Sequence, residues 1–179
     1  RNFKPIVMDL NKEIVASVVA RGGSEASSAA ELAAACDIIM LCLTTSAVVE
    51  KVMYGEEGIL AGIKEGAVVI DFGTSIPAST RKIGADLAAK GAGMVDAALG
   101  RTPAHALDGL LNIMAAGDEA TFEKVKPILE MQGEHIFYMG ALGAGHTTKL
   151  INNFMGMTTV CAMSQAFAVA ESAGVDRQQ

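Results

Sequence analysis

Apolar residues recur along the chain in two rhythms. Short unbroken runs alternate with longer segments in which apolar positions return every three or four residues. The runs are Pro5-Ile-Val-Met-Asp9, Asp37-Ile-Ile-Met-Leu-Cys-Leu43, Ala67-Val-Val-Ile-Asp71, Met94-Val-Asp96-Ala-Ala98, Leu110-Leu-Asn-Ile-Met-Ala115 and Glu134-His-Ile-Phe-Tyr-Met139. A strand reads this way when helices cover both of its faces. Helices are predicted between them at residues 12–20, 29–35, 47–53, 77–90 and 119–131, with a short helical connection at 58–66. Asn11, Ser28 and Asp118 stand where N-caps belong, and Ser28 to Glu31 has capping-box spacing. Thr44-Thr45-Ser46 ends a strand and caps the helix after it. Pro77 suits a first helical turn, and Gly22-Gly23, Gly91 and Gly93 act as stops. Pro127 predicts a bend or break in its helix. Residues 100–109 read as a loop.

Strands alternating with helices predict an α/β fold, a doubly wound, Rossmann-like, mainly parallel sheet with right-handed crossovers. The pattern changes at Gly140-Ala-Leu-Gly143-Ala-Gly145. A glycine-rich turn there runs into a helix predicted over residues 147–173, stopped by Gly174. That helix is apolar nearly all round, so it must be enclosed by other helices, which this chain does not supply. The expected organisation is a dinucleotide-binding domain at 1–145 and the start of an all-helical domain at 146–179.

Lys149 breaks a local rule, because it lies near the positive end of the helix dipole, where a cation is disfavoured. Lys149 and Asn153 are four residues apart and share one helical face, and Asn152 accompanies them in an otherwise apolar run. Desolvation and a helix N-terminus both favour a neutral amine, which suits a lysine to proton transfer. The plain alternative is a lysine that reaches water from a helix end.

Further candidates lie at the predicted carboxyl ends of strands, where open α/β sheets hold their ligands. Asp9 ends the first run. An acid there accepts hydrogen bonds from an adenosine ribose and repels a 2′-phosphate, which favours NAD over NADP; the alternative is a solvated turn aspartate beside the Asn11 cap. No Gly-x-Gly-x-x-Gly turn precedes it. Thr44, Thr45 and Thr74 can approach a cofactor or simply cap the next helix. Arg101 offers a planar fork for a carboxylate, sulfonate or phosphate, or is an ordinary surface arginine.

The net charge of −6 argues against general nucleic-acid binding and requires a local positive site for any anionic substrate. Cys36, Cys42 and Cys161 are scattered in apolar contexts without a CxxC pair, as expected of buried free thiols in a reducing compartment. The three histidines lack metal-ligand spacing; His135 is expected to be structural, while His105 and His146 are candidates to line the cleft. No apolar run reaches the roughly 18 residues of a membrane span. A cytoplasmic protein is expected. The chain opens at Arg1-Asn-Phe3 without methionine and is expected to be part of something longer.

Three segments together resemble the β-hydroxyacid dehydrogenase family. Asp71-Phe-Gly-Thr74-Ser-Ile-Pro77-Ala-Ser-Thr80 is similar to its Asp-x-Ser-Thr-x-x-Pro-x-x-Thr segment. Asp96-Ala-Ala-Leu-Gly100 is similar to its substrate loop, and Gly143-Ala-Gly145-His-Thr-Thr-Lys149-Leu-Ile-Asn152-Asn153 to its catalytic segment. The resemblance implies hydride transfer between NAD(H), less readily NADP(H), and a short β-hydroxy acid or its aldehyde. It makes Lys149 the general acid–base and Asn153, with Asn152 beside it, the substrate-orienting pair. It places Leu43, Thr44, Thr45 and Thr74 against the nicotinamide half of the cofactor. Gly100, Arg101 and Thr102 would hold the substrate's acid group, in place of the family's usual Ser-Gly-Gly. Gly-Arg-Thr followed by Ala104-x-Ala106 is similar to the sulfolactaldehyde-reducing members, with semialdehyde reductases and 3-hydroxyisobutyrate dehydrogenases as rivals. No metal is implied. A homo-oligomer through the helical region is the expected assembly. The reading from another class is a non-catalytic binding module on the same fold, which need not keep Lys149 and Asn153 together.

Overall fold

The computed structural model describes residues 3–176. Its strands are β1 (Ile6–Val7), β2 (Ser24–Glu25), β3 (Ile38–Leu41), β4 (Val68–Asp71), β5 (Gly93–Gly100), β6 (Leu111–Ala116) and β7 (Gly133–Tyr138). Its helices are α1 (Lys12–Val19), α2 (Ala29–Ala35), α3 (Ser46–Tyr54), α4 (Ile59–Gly62), α5 (Pro77–Ala88), α6 (Pro103–Asp108), α7 (Glu119–Leu129) and α8 (Ala144–Ser172). Two sheets result: a parallel pair β1-β2, and a five-stranded sheet ordered β3-β4-β5-β6-β7. Within the larger sheet only the β5–β6 pairing is antiparallel. The mainly parallel, doubly wound expectation therefore holds.

The apolar runs follow from burial on two sides. Val68 and Ile70 of β4 enter one core with Val95, Ala97, Ile113 and Ala115, under Phe122, Val125 and Leu129 of α7. Val69, one residue out of phase, enters the opposite core with Ile39, Leu41 and Met94, under Val49 and Met53 of α3 and Ile83 and Leu87 of α5. A strand serving both cores is apolar on both faces, so the buried Asp71 at the end of β4 and Asp96 within β5 stand out.

Capping follows the predicted residues. Asn11, Ser28, Thr45 and Asp118 accept from the backbone N–H of Glu13, Glu31, Val48 and Thr121. The reach-back of Glu31 goes to the Ser27 N–H, 2.7 Å, one residue before the cap.

Several expectations change. β1 is shorter than predicted and half-buried, and Met40 of β3 is 52% exposed. Among the described residues β1-β2 and β3 are not hydrogen-bonded to each other, and an apolar cleft of about 610 Å³ separates Met8, Asp9 and Leu10 from Ile39, Leu41 and Leu43. β2 lacks any apolar pattern and was not expected. The predicted 100–109 loop contains α6, with Pro103 in its first turn and Gly109 left-handed at its end; those start and stop signals outweigh the absence of an apolar face. α7 continues through Pro127 to Leu129. α8 begins three residues before the predicted start. The cysteines are free, but Cys42 and Cys161 are exposed and Cys36 only half-buried, so the buried-thiol expectation fails. Cys42 falls just past the end of β3, and Cys161 lies on the open face of α8. That face exposes large apolar side chains, among them Phe154 (71%) and Met155 (64%). Among the described residues, no helix is long and apolar enough to cross a membrane.

Candidate active site

The carboxyl ends of β3 and β4 lie beside the middle of β5, because Leu41 pairs with Asp71 and Asp71 with Asp96. Two loops meet above them. Ser46 Oγ accepts from Ile76 N–H at 2.7 Å, and Gly73 passes so near Leu43 that an added Cβ would lie 3.1 Å from the Leu43 carbonyl oxygen. Glycine is needed there to let the loops approach. Their contact brings Leu43, Thr44 and Thr45 next to Thr74. Thr44, Thr45 and Thr74 are exposed, and Leu43 is half-buried on the wall of the cleft. Asp9 stands on the opposite wall, where its Oδ1 accepts from the Asn11 N–H at 2.8 Å and its carboxylate stays exposed. Asp9 and Leu43 line the cleft, while Thr44, Thr45 and Thr74 lie outside it at the strand ends.

Beneath the loops lies a buried polar cluster. Asp71, Asp96 and His146 are all fully buried. Asp71 accepts from Gly73 N–H (2.9 Å) and from the Ser75 hydroxyl (2.7 Å). Asp96 accepts from Gly143 N–H and His146 N–H, both at 2.7 Å. These two amides are at the start of α8, whose N-cap residue Gly143 has no side chain to cap it. Asp96 thus caps the helix from a neighbouring strand, satisfying donors that would otherwise be orphaned. Burial pushes the Asp96 carboxyl above its ordinary value, while the two N–H groups and His146 pull it back. The His146 ring hydrogen-bonds Thr80 through Nδ1 at 2.9 Å. Its Nε2 is buried without a hydrogen-bond partner, 3.8 Å from Asp71 Oδ2.

The glycines of the turn now have separate reasons. Gly143 has φ +90°, a left-handed conformation. Gly145 sits against the sheet: an added Cβ would collide with the Met114 carbonyl oxygen and lie 2.9 Å from Asp96 Oδ2.

Lys149 is half-buried, one turn beyond His146 on the same helical side, and Asn152 and Asn153 follow it into solvent. Arg101 goes elsewhere. It is the one non-glycine residue among those described with positive φ (72°), and its Nη1 donates to Glu134 Oε2 (2.6 Å) and to the Leu110 carbonyl (2.7 Å). Gly100 is half-buried at the end of β5, and exposed Thr102 hydrogen-bonds His105 at 2.7 Å. Arg101 is five residues past Asp96, so β5 carries it roughly 15 Å beyond the buried cluster. Lys149 thus lies on the helix that Asp96 caps, whereas the Arg101 fork turns toward β7. Among the described residues there is no cluster of three potential metal ligands.

Sequence reasoning missed that Asp71, Asp96, Thr80 and His146 form one cluster. The available signal was two acids inside otherwise apolar strands, since a buried charge requires partners.

Residues 1–140 match the NAD binding domain of 6-phosphogluconate dehydrogenase. The chain belongs to the β-hydroxyacid dehydrogenase family. It is 35% identical over 167 residues to 2-(hydroxymethyl)glutarate dehydrogenase of Eubacterium barkeri, an alignment spanning 93% of this chain and 56% of that one. It is 35% identical over 166 residues to 3-sulfolactaldehyde reductase of Escherichia coli K12, with the same shares. The fold superposes with a TM-score of 0.87 on the 3-hydroxyisobutyrate dehydrogenase of Mycobacterium tuberculosis solved with L-serine, at 27% identity, covering 98% of this chain and 58% of that one. The chain spans somewhat over half the length of these β-hydroxyacid dehydrogenases.

Proposed function

We propose that this chain is the cofactor-binding and proton-transferring part of an NAD(H)-dependent dehydrogenase or reductase of short β-hydroxy acids and their aldehydes. The observation that carries the reading is the setting of Lys149: a half-buried lysine one turn past a helix start that Asp96 and His146 hold against the carboxyl edge of the sheet. A nicotinamide cofactor, when bound, supplies or accepts the hydride. Lys149 gives a proton to the carbonyl oxygen in reduction and takes it from the hydroxyl in oxidation, and Asn152 and Asn153 orient that oxygen. Asp9 engages the adenosine ribose and selects against a 2′-phosphate.

The favoured substrate is 3-sulfolactaldehyde, with 2,3-dihydroxypropane-1-sulfonate in the reverse direction, held at Gly100-Arg101-Thr102. One observation supports the carboxylate rivals, tartronate semialdehyde and 3-hydroxyisobutyrate: Arg101 is already engaged by Glu134, so an anion must compete for it. The exposed apolar side of α8 favours a homo-oligomer through the helical region. The test is a panel of sulfonated and carboxylated three-carbon aldehydes with NADH on the intact protein. A kcat/KM at least tenfold higher for the sulfonate supports the favoured substrate, equal values remove Arg101 as a reason to favour the sulfonate, and a higher value for a carboxylate assigns the site to carboxylates.

A further inference from the structure

The buried cluster under α8 ties the helix down at two points of different kind. The first is backbone: Asp96, in the interior of the sheet, accepts from Gly143 N–H and His146 N–H at 2.7 Å each. It takes both of its oxygens to do so, which fixes the height of the first turn above β5. The second is side chain: His146 Nδ1 meets Thr80 Oγ1 at 2.9 Å, and Thr80 is itself held by donating to the Ile76 carbonyl of its own helix, 3.3 Å. Whichever tautomer His146 adopts, the Thr80 hydroxyl can complete this bond, as donor to a bare Nδ1 or as acceptor from Nδ1–H. A tether through a side chain fixes rotation about the helix axis, which backbone contacts at one end leave free.

Lys149 lies three residues beyond His146, about 4.5 Å up the axis and on the same side of the helix. Any roll of α8 about its axis moves both residues together. The groups facing Asp96 are Asp71 across β4, His146 on α8, the Thr80 hydroxyl on α5, and the side chains of Ala115 and Ala116 on β6.

We infer that Asp96, His146 and Thr80 are positioning residues, a two-point lock that sets the height and rotation of α8 and through them the placement of Lys149. The inference rests on the reading of Lys149 as the proton carrier. The lock explains Gly145, which leaves Asp96 room at the turn, and a fully buried histidine that has no access to solvent or substrate. A misplacement of about 1 Å at a reacting group costs on the order of 100-fold in rate, so a loosened lock lowers kcat before it unfolds the domain.

The test uses Thr80→Val and Thr80→Ser in the intact protein, with Asp96→Asn as a third variant that tolerates failure to fold. Thr80→Val keeps the volume and removes the hydroxyl partner of His146 Nδ1; Thr80→Ser keeps the hydroxyl. Expected for Thr80→Val is a fall in kcat of about tenfold with both KM values within twofold, and faster amide exchange confined to residues 143–148. Thr80→Ser should restore kcat to within threefold of the parent. Parental kcat in Thr80→Val, equal losses in the two variants, or unchanged exchange at 143–148 each overturn the lock. Amide exchange separates the two levels of inference. If Lys149→Ala retains turnover, the function reading fails, whereas the exchange result still decides whether the lock exists.

Discussion

Replacing Gly145 by alanine puts a single methyl group against the least yielding part of the structure. The new Cβ would collide with the Met114 carbonyl oxygen of β6 and lie 2.9 Å from Asp96 Oδ2 and 3.2 Å from the Asp96 carbonyl oxygen of β5. Both strands are central in the sheet and cannot retreat, so the first turn of α8 must lift by about an ångström to reach ordinary contact. That lift stretches the Gly143 and His146 N–H bonds to Asp96. Hydrogen bonds to a charged group contribute about 1.5–3 kcal/mol each. Losing about half of that pair costs roughly 2 kcal/mol, and alanine's better helix propensity returns about 1 kcal/mol. The expected net destabilisation is about 1 kcal/mol, which for a domain of this size lowers Tm by roughly 2–4 °C. Displacing Lys149 by the same lift should reduce kcat on the order of 100-fold. Thermal unfolding and steady-state kinetics of the variant measure both. A Tm within 1 °C of the parent and turnover within twofold would refute the steric argument.

Other perturbations follow the same geometry. Glu134→Gln releases the Arg101 fork, and if Arg101 binds the substrate's acid group, KM for an anionic substrate should fall severalfold, whereas Arg101→Ala should raise it strongly. Arg101 holds the Glu134 carboxyl below its ordinary range, so the pair is intact at neutral pH and breaks only as the pH falls through that lowered value; a pH titration of the Glu134 carboxyl carbon resonance checks this, and an ordinary titration would contradict it. Asp9→Asn keeps the acceptor for the Asn11 N–H but removes the charge facing a 2′-phosphate. The NADH-over-NADPH preference in kcat/KM should drop about tenfold, since a like-charge contact costs about 1 kcal/mol or more; an unchanged ratio would place cofactor selection elsewhere.

What could be read from the residues divides along a physical line. β4 is legible because it is buried on both faces, and Asn11, Ser28 and Asp118 are legible because caps act within three residues. β2 is not, because two exposed residues pair with β1 and carry no periodic pattern. α6 is held by Pro103 and Gly109 rather than by an apolar face, so periodicity passes over it. The site divides the same way. Lys149 stands out because it violates a rule of its own helix. The partnership of Asp96 with Gly143 joins residues 47 apart, and no local rule reports it. Arg101 was legible as a cation at a strand end, but its pairing with Glu134 depends on β7 arriving on the far side of β6.

The most direct measurement is the turnover of Lys149→Ala in the intact protein with NADH and a short β-hydroxy aldehyde, alongside cofactor binding. General acid–base catalysis contributes about 10²- to 10⁴-fold. The expected result is a loss of kcat in that range with the Kd for NADH within threefold of the parent. Turnover within threefold of the parent would contradict the assignment of Lys149 as the group that carries the proton.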